Sequence, residues 1–365
     1  MTISAGVIGL STALCLRQHG YDVTILAQDF PAPFEVIDSS QINYTSPWAG
    51  ARSRWIPPTN AQEERDHAFA LATFRRMEGL DRTHSGGEAG LTFMKGLEYL
   101  ESPPQQYLDL TEKRAEELGM TEFSLLERHE LPPDVAWGCS YRTWCVHPMM
   151  YCCFLLRHFT HQGGKIRKRE LRDPTEGFPQ RVSRECAWLS TAPAEVSGTR
   201  MFFLPGVSLY LRHDTKARDP DRQGIGQLCI VANQCDVTIM RQNRDGSWVV
   251  AIPRNYGGGT VIGGTRDVGD WNAMPDAAVR EHMLVNAAAT YPGLLAQGEE
   301  FQVIRDVVGR RPTREGGIRL EAESFGPDRT VVHACGLGGR GYECSWGVAQ
   351  AALRLVVEAD ADAEA

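Results

Sequence analysis

The stretch Val331-Val332-His333-Ala334-Cys335-Gly336-Leu337-Gly338-Gly339-Arg340-Gly341-Tyr342-Glu343-Cys344-Ser345-Trp346-Gly347 decides how this chain is read. Thr330 to His333 is β-branched and apolar, the signature of a short strand, and Trp346 to Glu358 carries helical periodicity. Between them glycines crowd together. A strand that passes through glycines into a helix suits a nucleotide site. Glycine lets backbone approach a ligand where a Cβ would collide, and the helix N-terminus offers unpaired N–H groups. The same string also reads as a flexible surface loop, but the apolar strand and amphipathic helix on either side favour the first reading.

The other end of the chain repeats the arrangement. Ser4-Ala5-Gly6-Val7-Ile8-Gly9 opens a helix from Leu10 to His19, with Leu10, Ala13, Leu14 and Leu16 at helical spacing. Gly20 stands at its C-cap, and Val23 to Leu26 is a β-branched strand. Ser4 occupies the place of the first glycine in a dinucleotide turn, and only Thr2 and Ile3 remain of the preceding strand. The acidic residue expected to hold a ribose falls in register on Gln28, with Asp29 beside it; either Asp29 serves or the site is weakened.

Ser46 to Ala51 is turn-rich and precedes a helix from Gln62 to Met77. Tyr151 to His161 reads as an amphipathic helix, closed by Gly163-Gly164 and followed by a strand from Ile166 to Leu171. Strands at Gln227–Ala232, Val237–Arg241, Trp248–Ile252 and Thr260–Gly264 suggest an antiparallel sheet, and Ala277 to Tyr291 a helix. Pro174 to Arg222 has no clean period and stays unassigned. The expectation is an α/β protein. A discontinuous Rossmann-like domain is built from 1–55, 140–175 and 300–365, its last helix packed beside the first strand. An antiparallel-sheet substrate or interface domain takes 56–139 and 176–299, with 174–222 unassigned.

Composition narrows the function classes. The 365 residues suffice for two domains, and 42% hydrophobic with 23% charged residues is an ordinary globular profile. The formal charge of −8 argues against a nucleic-acid or polybasic membrane surface. No apolar run reaches the roughly 18 residues of a membrane span, and the N-terminus lacks a secretory layout. Ten cysteines include no C-x-x-C pair; Cys152 and Cys153 are adjacent and Cys139 and Cys145 six apart. They read as free thiols in a reducing compartment rather than disulfides or metal ligands, and no metal is expected.

Four motifs in order resemble the FAD-dependent D-amino-acid and D-aspartate oxidases. They are Gly6-Val7-Ile8-Gly9-Leu10-Ser11-Thr12-Ala13, Ser46-Pro47-Trp48-Ala49-Gly50-Ala51, Gly309-Arg310-Arg311-Pro312-Thr313-Arg314 with Ile318-Arg319-Leu320-Glu321, and the glycine stretch above. The resemblance covers most of the chain except 174–222. It implies FAD held by Ala5, Gly6, Val7, Ile8, Gly9, Asp29, Thr45, Ser46, Ala49, Gly50, Leu171, Gly338, Gly339, Gly341, Tyr342 and Glu343. It also implies hydride transfer from substrate Cα to flavin, reoxidation by O2, and hydrolysis of the imino acid to a 2-oxo acid and ammonia. Arg311 matches the family's substrate arginine, whose fork suits an α-carboxylate. Arg305, Arg310, Arg314 and Arg319 lie nearby, so the motif register singles it out rather than composition. Gly339 stands beside it in the catalytic set. The protein's contribution in such a reaction is orientation and electrostatics, so no acid–base constellation is required; His158 reads as a helix-face residue.

Several positions depart from the family pattern. The tyrosines that cover neutral substrates fall near Gly246 and Val250, with Tyr256 close enough to substitute. Gly263-Gly264-Thr265-Arg266 is closer to the D-aspartate oxidases, where the residue matching Arg266 binds a side-chain carboxylate; two cations favour dicarboxylic substrates. Glu343 replaces a neutral residue near the flavin edge, where a carboxylate would oppose negative charge unless it points away, and Cys335 replaces an aromatic residue. The expected partners are a small D-amino acid and O2, with a homodimer left open. An inactive flavoprotein-like chain and a glycine- or sarcosine-type amine oxidase are the alternatives. Localisation is expected to be intracellular, peroxisomal by resemblance but cytoplasmic by the lack of a C-terminal targeting tripeptide.

Overall fold

In the computed structural model, which describes residues 2–33, 37, 43–84, 86–170, 224–265, 267–268, 272–325 and 330–364, the chain opens on a parallel βαβ unit. The strand Thr2–Ile3 pairs in parallel with Thr24–Ala27, and that strand with Lys165–Lys168. Parallel neighbours require crossovers; the helices Val7–Gln18 and Pro148–His161 precede the second and third strands. Gly20, at φ 86°, closes the first helix where the sequence expects a cap. That helix begins at Val7 rather than Leu10, so part of the stretch read as a turn is its first turn. A Cβ on Gly9 would lie 2.1 Å from the Ser4 carbonyl oxygen, and only glycine lets the helix start so close to the strand. Leu171 and the unassigned stretch Pro174–Arg222 lie outside the described residues.

A ten-stranded sheet forms the larger layer. Its path runs Asp267–Val268, Gly224–Val231, Thr260–Gly263, Trp248–Pro253, Val237–Gln242, Leu91–Leu100, Trp137–Val146, Ala51–Arg52, with Val303–Arg310 and Ser124–Leu125 pairing off it. The four strands expected between 227 and 264 are present within a residue or a few of the expected bounds. The sheet is not wholly antiparallel: Leu91–Leu100 runs parallel to Val237–Gln242. Against it Ala277–Thr290 starts where Asp276 accepts from the amides of Ala278 (2.7 Å) and Val279 (3.4 Å), the usual N-cap geometry.

The closing helix Ser345–Glu364 packs against Val7–Gln18 and against Ala61–Thr83, not simply beside the first strand. Gly347 is the reason for the close crossing, since a Cβ there would lie 2.3 Å from the Cα of Phe69. Thr73 Oγ1 accepts from the amides of Trp346 (3.1 Å) and Gly347 (3.2 Å), satisfying two of the donors that a helix start leaves open. Trp346 is 2% exposed, and its Nε1 donates to Tyr151 (2.8 Å), so burial of the indole leaves no orphaned donor. One large cluster of buried side chains joins the opening helix, the closing helix, Phe74 and Met77. Among the described residues Cys15, Cys139, Cys145, Cys152, Cys229, Cys235 and Cys344 are buried free thiols, Cys335 is half-buried and Cys153 exposed. No helix among the described residues is long and apolar enough to cross a membrane.

Candidate functional site

Three local structures meet around a cavity of about 290 Å³. The first is the short 3-10 turn Ser46–Trp48, with Pro47 pre-setting its first dihedral. It is tied on three sides. Ser46 Oγ accepts from the Val7 amide (3.1 Å), Tyr342 Oη donates to the Ser46 carbonyl (2.8 Å), and Arg254 Nη2 donates to the carbonyls of Pro47 (3.1 Å) and Ala49 (3.2 Å). The second is the glycine loop after the strand Thr330–Cys335, anchored by the Gly338 amide on the Pro312 carbonyl (3.1 Å). Gly336 and Gly338 sit at φ 82° and 57°, backbone that favours glycine. The third is the larger sheet, whose side chains Leu228, Met240, Val250, Ile252, Val261 and Val307 make an apolar wall.

The cavity gathers many residues singled out from sequence. Val7, Ile8, Thr45, Ser46, Ala49 and Gly50 line one side; Gly338, Gly339, Gly341 and Tyr342 line another. Arg311 lines it too. Its guanidinium packs against Gly226, where a Cβ would lie 2.5, 2.6 and 2.7 Å from Nη1, Nη2 and Cζ. A Cβ on Gly339 would meet no protein atom within 4 Å, and one on Gly341 only Val7 Cγ1 at 3.8 Å. These glycines therefore face open space, as a ligand-facing loop requires.

Other expected residues sit elsewhere. Ala5, Gly6 and Gly9 stand behind the wall: Ala5 is 1% exposed and its carbonyl accepts from Tyr44 Oη (3.0 Å). Asp29 is half-buried just past Thr24–Ala27 and not on the cavity; burial pushes its carboxyl up, with Lys168 pulling the other way. Arg266 and Leu171 lie outside the described residues.

Glu343 corrects an expectation. It does not line the cavity; it is buried and accepts from Arg340 Nε (3.0 Å) and Nη2 (2.5 Å). Burial works against the Arg340 charge, but the Glu343 carboxylate more than offsets it. The glutamate therefore brings its own counterion and points away from the cavity, because a buried carboxylate is tolerated only when paired.

Tyr256 is a second correction. Asn255 and Tyr256 adopt φ 54° and 46° beyond the strand end, and the phenol turns outward to donate to the Leu91 carbonyl (2.8 Å). Val250 and Ile252 take the wall positions instead.

Sequence reasoning missed Gly226, Met240 and the tethering residue Arg254. Gly226 had no motif around it; Arg254 follows a readable strand, but nothing local says that it is buried.

The residues fit a flavin dinucleotide. Gly339 and Gly341 keep the loop clear of side chains at two positions on the space, and the opening helix presents Val7 and Ile8 to it. One feature is unusual: Ser4, at φ 144°, accepts from the Gly6 amide through Oγ (3.1 Å), as Ser46 does from Val7. The donors that would face a pyrophosphate are satisfied by hydroxyls, groups that can themselves donate to phosphate. Tyr342 and Tyr44 are both pushed well above the usual phenol range by burial, so each stays a donor.

Among the described residues, one group of possible metal ligands converges away from the cavity: His84, Glu88 and His158, with ligand atoms within 4.8 Å of one another. Arg157 Nη2 lies 2.9 Å from the same carboxylate, so a fixed cation already compensates it and the cluster reads as a surface ionic network.

Comparison with known proteins agrees with this architecture. The family model described as "FAD dependent oxidoreductase" matches residues 5–355. A D-aspartate oxidase of Talaromyces thermophilus is 38% identical, covering 97% of this chain and 94% of its own length. A D-amino-acid oxidase of Fusarium vanettenii is 27% identical over 98% and 96%. Among solved structures, a glycine oxidase from Bacillus cereus superposes with a TM-score of 0.69 at 16% identity, over 98% of this chain and 94% of that one; at that identity the likeness speaks for the fold.

Proposed function

Because this chain belongs to the DAO family of FAD-dependent oxidoreductases, we propose that it deaminates D-amino acids oxidatively with dioxygen, preferring acidic substrates such as D-aspartate. The observation that carries the reading is Arg311, whose guanidinium packs against Gly226 on the cavity that the glycine loop also lines. A fixed planar cation beside a ligand-facing loop suits an α-carboxylate held next to the flavin.

A bound FAD would supply the two-electron acceptor for the hydride on the substrate Cα, with dioxygen as the terminal oxidant reduced to hydrogen peroxide. The chain's own residues orient and shield. Arg311 holds the carboxylate by charge-assisted hydrogen bonds, and the wall of Leu228, Met240, Val250 and Ile252 excludes water, which strengthens that pairing. Gly339 leaves the space that reaction geometry needs. Among the described residues lining the cavity there is no carboxylate or histidine, so the described lining itself contributes orientation and charge rather than a base. The imino acid then hydrolyses to a 2-oxo acid and ammonia. The acidic preference is supported by the 38% identical D-aspartate oxidase and by Arg266, proposed as the second cation for a side-chain carboxylate.

Oxygen consumption by the purified flavoprotein on D-aspartate, D-alanine and N-methylglycine tests the reading. The expected kcat/KM on D-aspartate exceeds that on D-alanine by at least about tenfold, the scale of one extra polar pairing in a site. A flavin-replete protein that turns over none of them, or N-methylglycine best, overturns it.

A further inference from the structure

Arg254 follows the strand Trp248–Pro253 and is 2% exposed, yet among the described residues no carboxylate pairs with it. Other arginines show what is missing. Arg54 is held by Glu98, Arg241 by Glu101 and Arg340 by Glu343. Arg254 donates through Nη2 to two backbone carbonyls, Pro47 and Ala49, and its Nε is left without a partner. The groups whose charge acts on it or answers to it are Tyr342, a protonated phenol, and His147, which burial and then Arg254 itself hold down to about 4 and hence neutral. Burying a cation without a counterion costs several kcal/mol, so folds retain one where a site gains from its field. Two carbonyl hydrogen bonds alone could be made by a neutral amide side chain.

We infer that Arg254 is a positioning residue of the cofactor site, fixing the Ser46–Ala49 turn and placing behind the cavity wall a positive charge, unpaired among the described residues, that favours negative charge on bound flavin. Ala49, one of the two residues it holds, lines the cavity, as does Tyr342. A cation set in place before reaction acts through a low-dielectric wall without reorganisation. The inference goes beyond the substrate assignment and stands for any amine donor.

Sulfite titration of the oxidised holoenzyme tests it, because the sulfite adduct of flavin is anionic and forms without substrate. Loss of the flavin's visible absorbance gives the dissociation constant for wild type, Arg254→Lys and Arg254→Gln. Arg254→Lys keeps the charge and is expected to bind sulfite within about threefold of wild type; Arg254→Gln, with FAD bound, binds about tenfold more weakly, the order expected of one unit charge lost near the site. Wild-type affinity in Arg254→Gln overturns the inference, as does equal weakening in both variants. Should Arg254→Gln fail to retain FAD, Arg254→Lys decides: near-wild-type affinity supports the inference and a tenfold loss overturns it. Failure on D-aspartate would leave this titration readable, so the two proposals fail separately.

Discussion

At the opening turn, Ser4 to Gly9, protein atoms fill the space around the glycines: a Cβ on Gly9 would strike the Ser4 carbonyl at 2.1 Å, and one on Gly6 would meet Ser46 Oγ at 2.9 Å. At the later loop, Gly336 to Gly341, a Cβ on Gly339 would meet nothing within 4 Å. Both turns lead toward helices and both are glycine-rich, yet Gly9 brings protein against protein, as Gly336 still does at the start of the later loop, whereas Gly339 keeps protein away from the ligand space. The difference separates residues that hold the fold from residues that hold the cofactor.

That contrast can be broken from its functional side first. Replacing Arg311, whose guanidinium packs against Gly226 on the cavity, by Met should cut kcat/KM on the best substrate by about a thousandfold while the protein still retains FAD, since a charged partner lost from a carboxylate costs roughly 4 kcal/mol. Steady-state kinetics beside a flavin spectrum check this; an unaltered kcat/KM removes Arg311 from the site.

Next comes the packing side. Gly9→Ala should destabilise the fold by about 3 kcal/mol, because helix and strand must separate to admit the methyl group. A denaturant melt that matches wild type would mean that helix and strand separate there at little cost.

The mirror experiment is Gly339→Ala. Its stability without FAD should stay within about 0.5 kcal/mol of wild type, while FAD binds roughly tenfold more weakly, read by fluorescence quenching. Loss of stability with normal FAD affinity would reverse the roles of the two turns. The smallest effect belongs to Ser4→Gly. It relieves a backbone conformation costly for serine, about 1–3 kcal/mol, and gives up one hydrogen bond of about 1 kcal/mol. The net gain, near 1 kcal/mol, should appear as a slightly higher melting temperature and somewhat tighter FAD binding; a lower melting temperature would mean that the hydrogen bond of the Ser4 hydroxyl outweighs the backbone strain.

The helices and most strands are legible because each states its period locally. Leu10, Ala13, Leu14 and Leu16 announce the opening helix, and all four are buried. The two longest strands, Leu91–Leu100 and Trp137–Val146, show no such alternation. The second is buried along nearly its whole length on both faces, and the first carries a glutamate, Glu98, that is 1% exposed. A sheet covered on both sides erases the period-two signal. Glu98 reads as a solvent-facing residue until Arg54, Tyr107 and Tyr141 are seen converging on it from separate elements.

The sequence by itself determined the opening and closing helices, the four strands between 227 and 264, the glycine loop after Cys335, and Arg311 as the cation of interest. Those features follow from spacing, or from a motif read in register along the chain. Tertiary structure alone decided that Glu343 turns to Arg340, that Tyr256 leaves the cavity for the Leu91 carbonyl, and that Arg254 is buried behind the turn with no counterion among the described residues. Each of these is a question of which charge or dipole stands next to which. In a low-dielectric interior that neighbour sets the energy, and it comes from whatever the fold brings alongside, one helical turn away or across the whole chain.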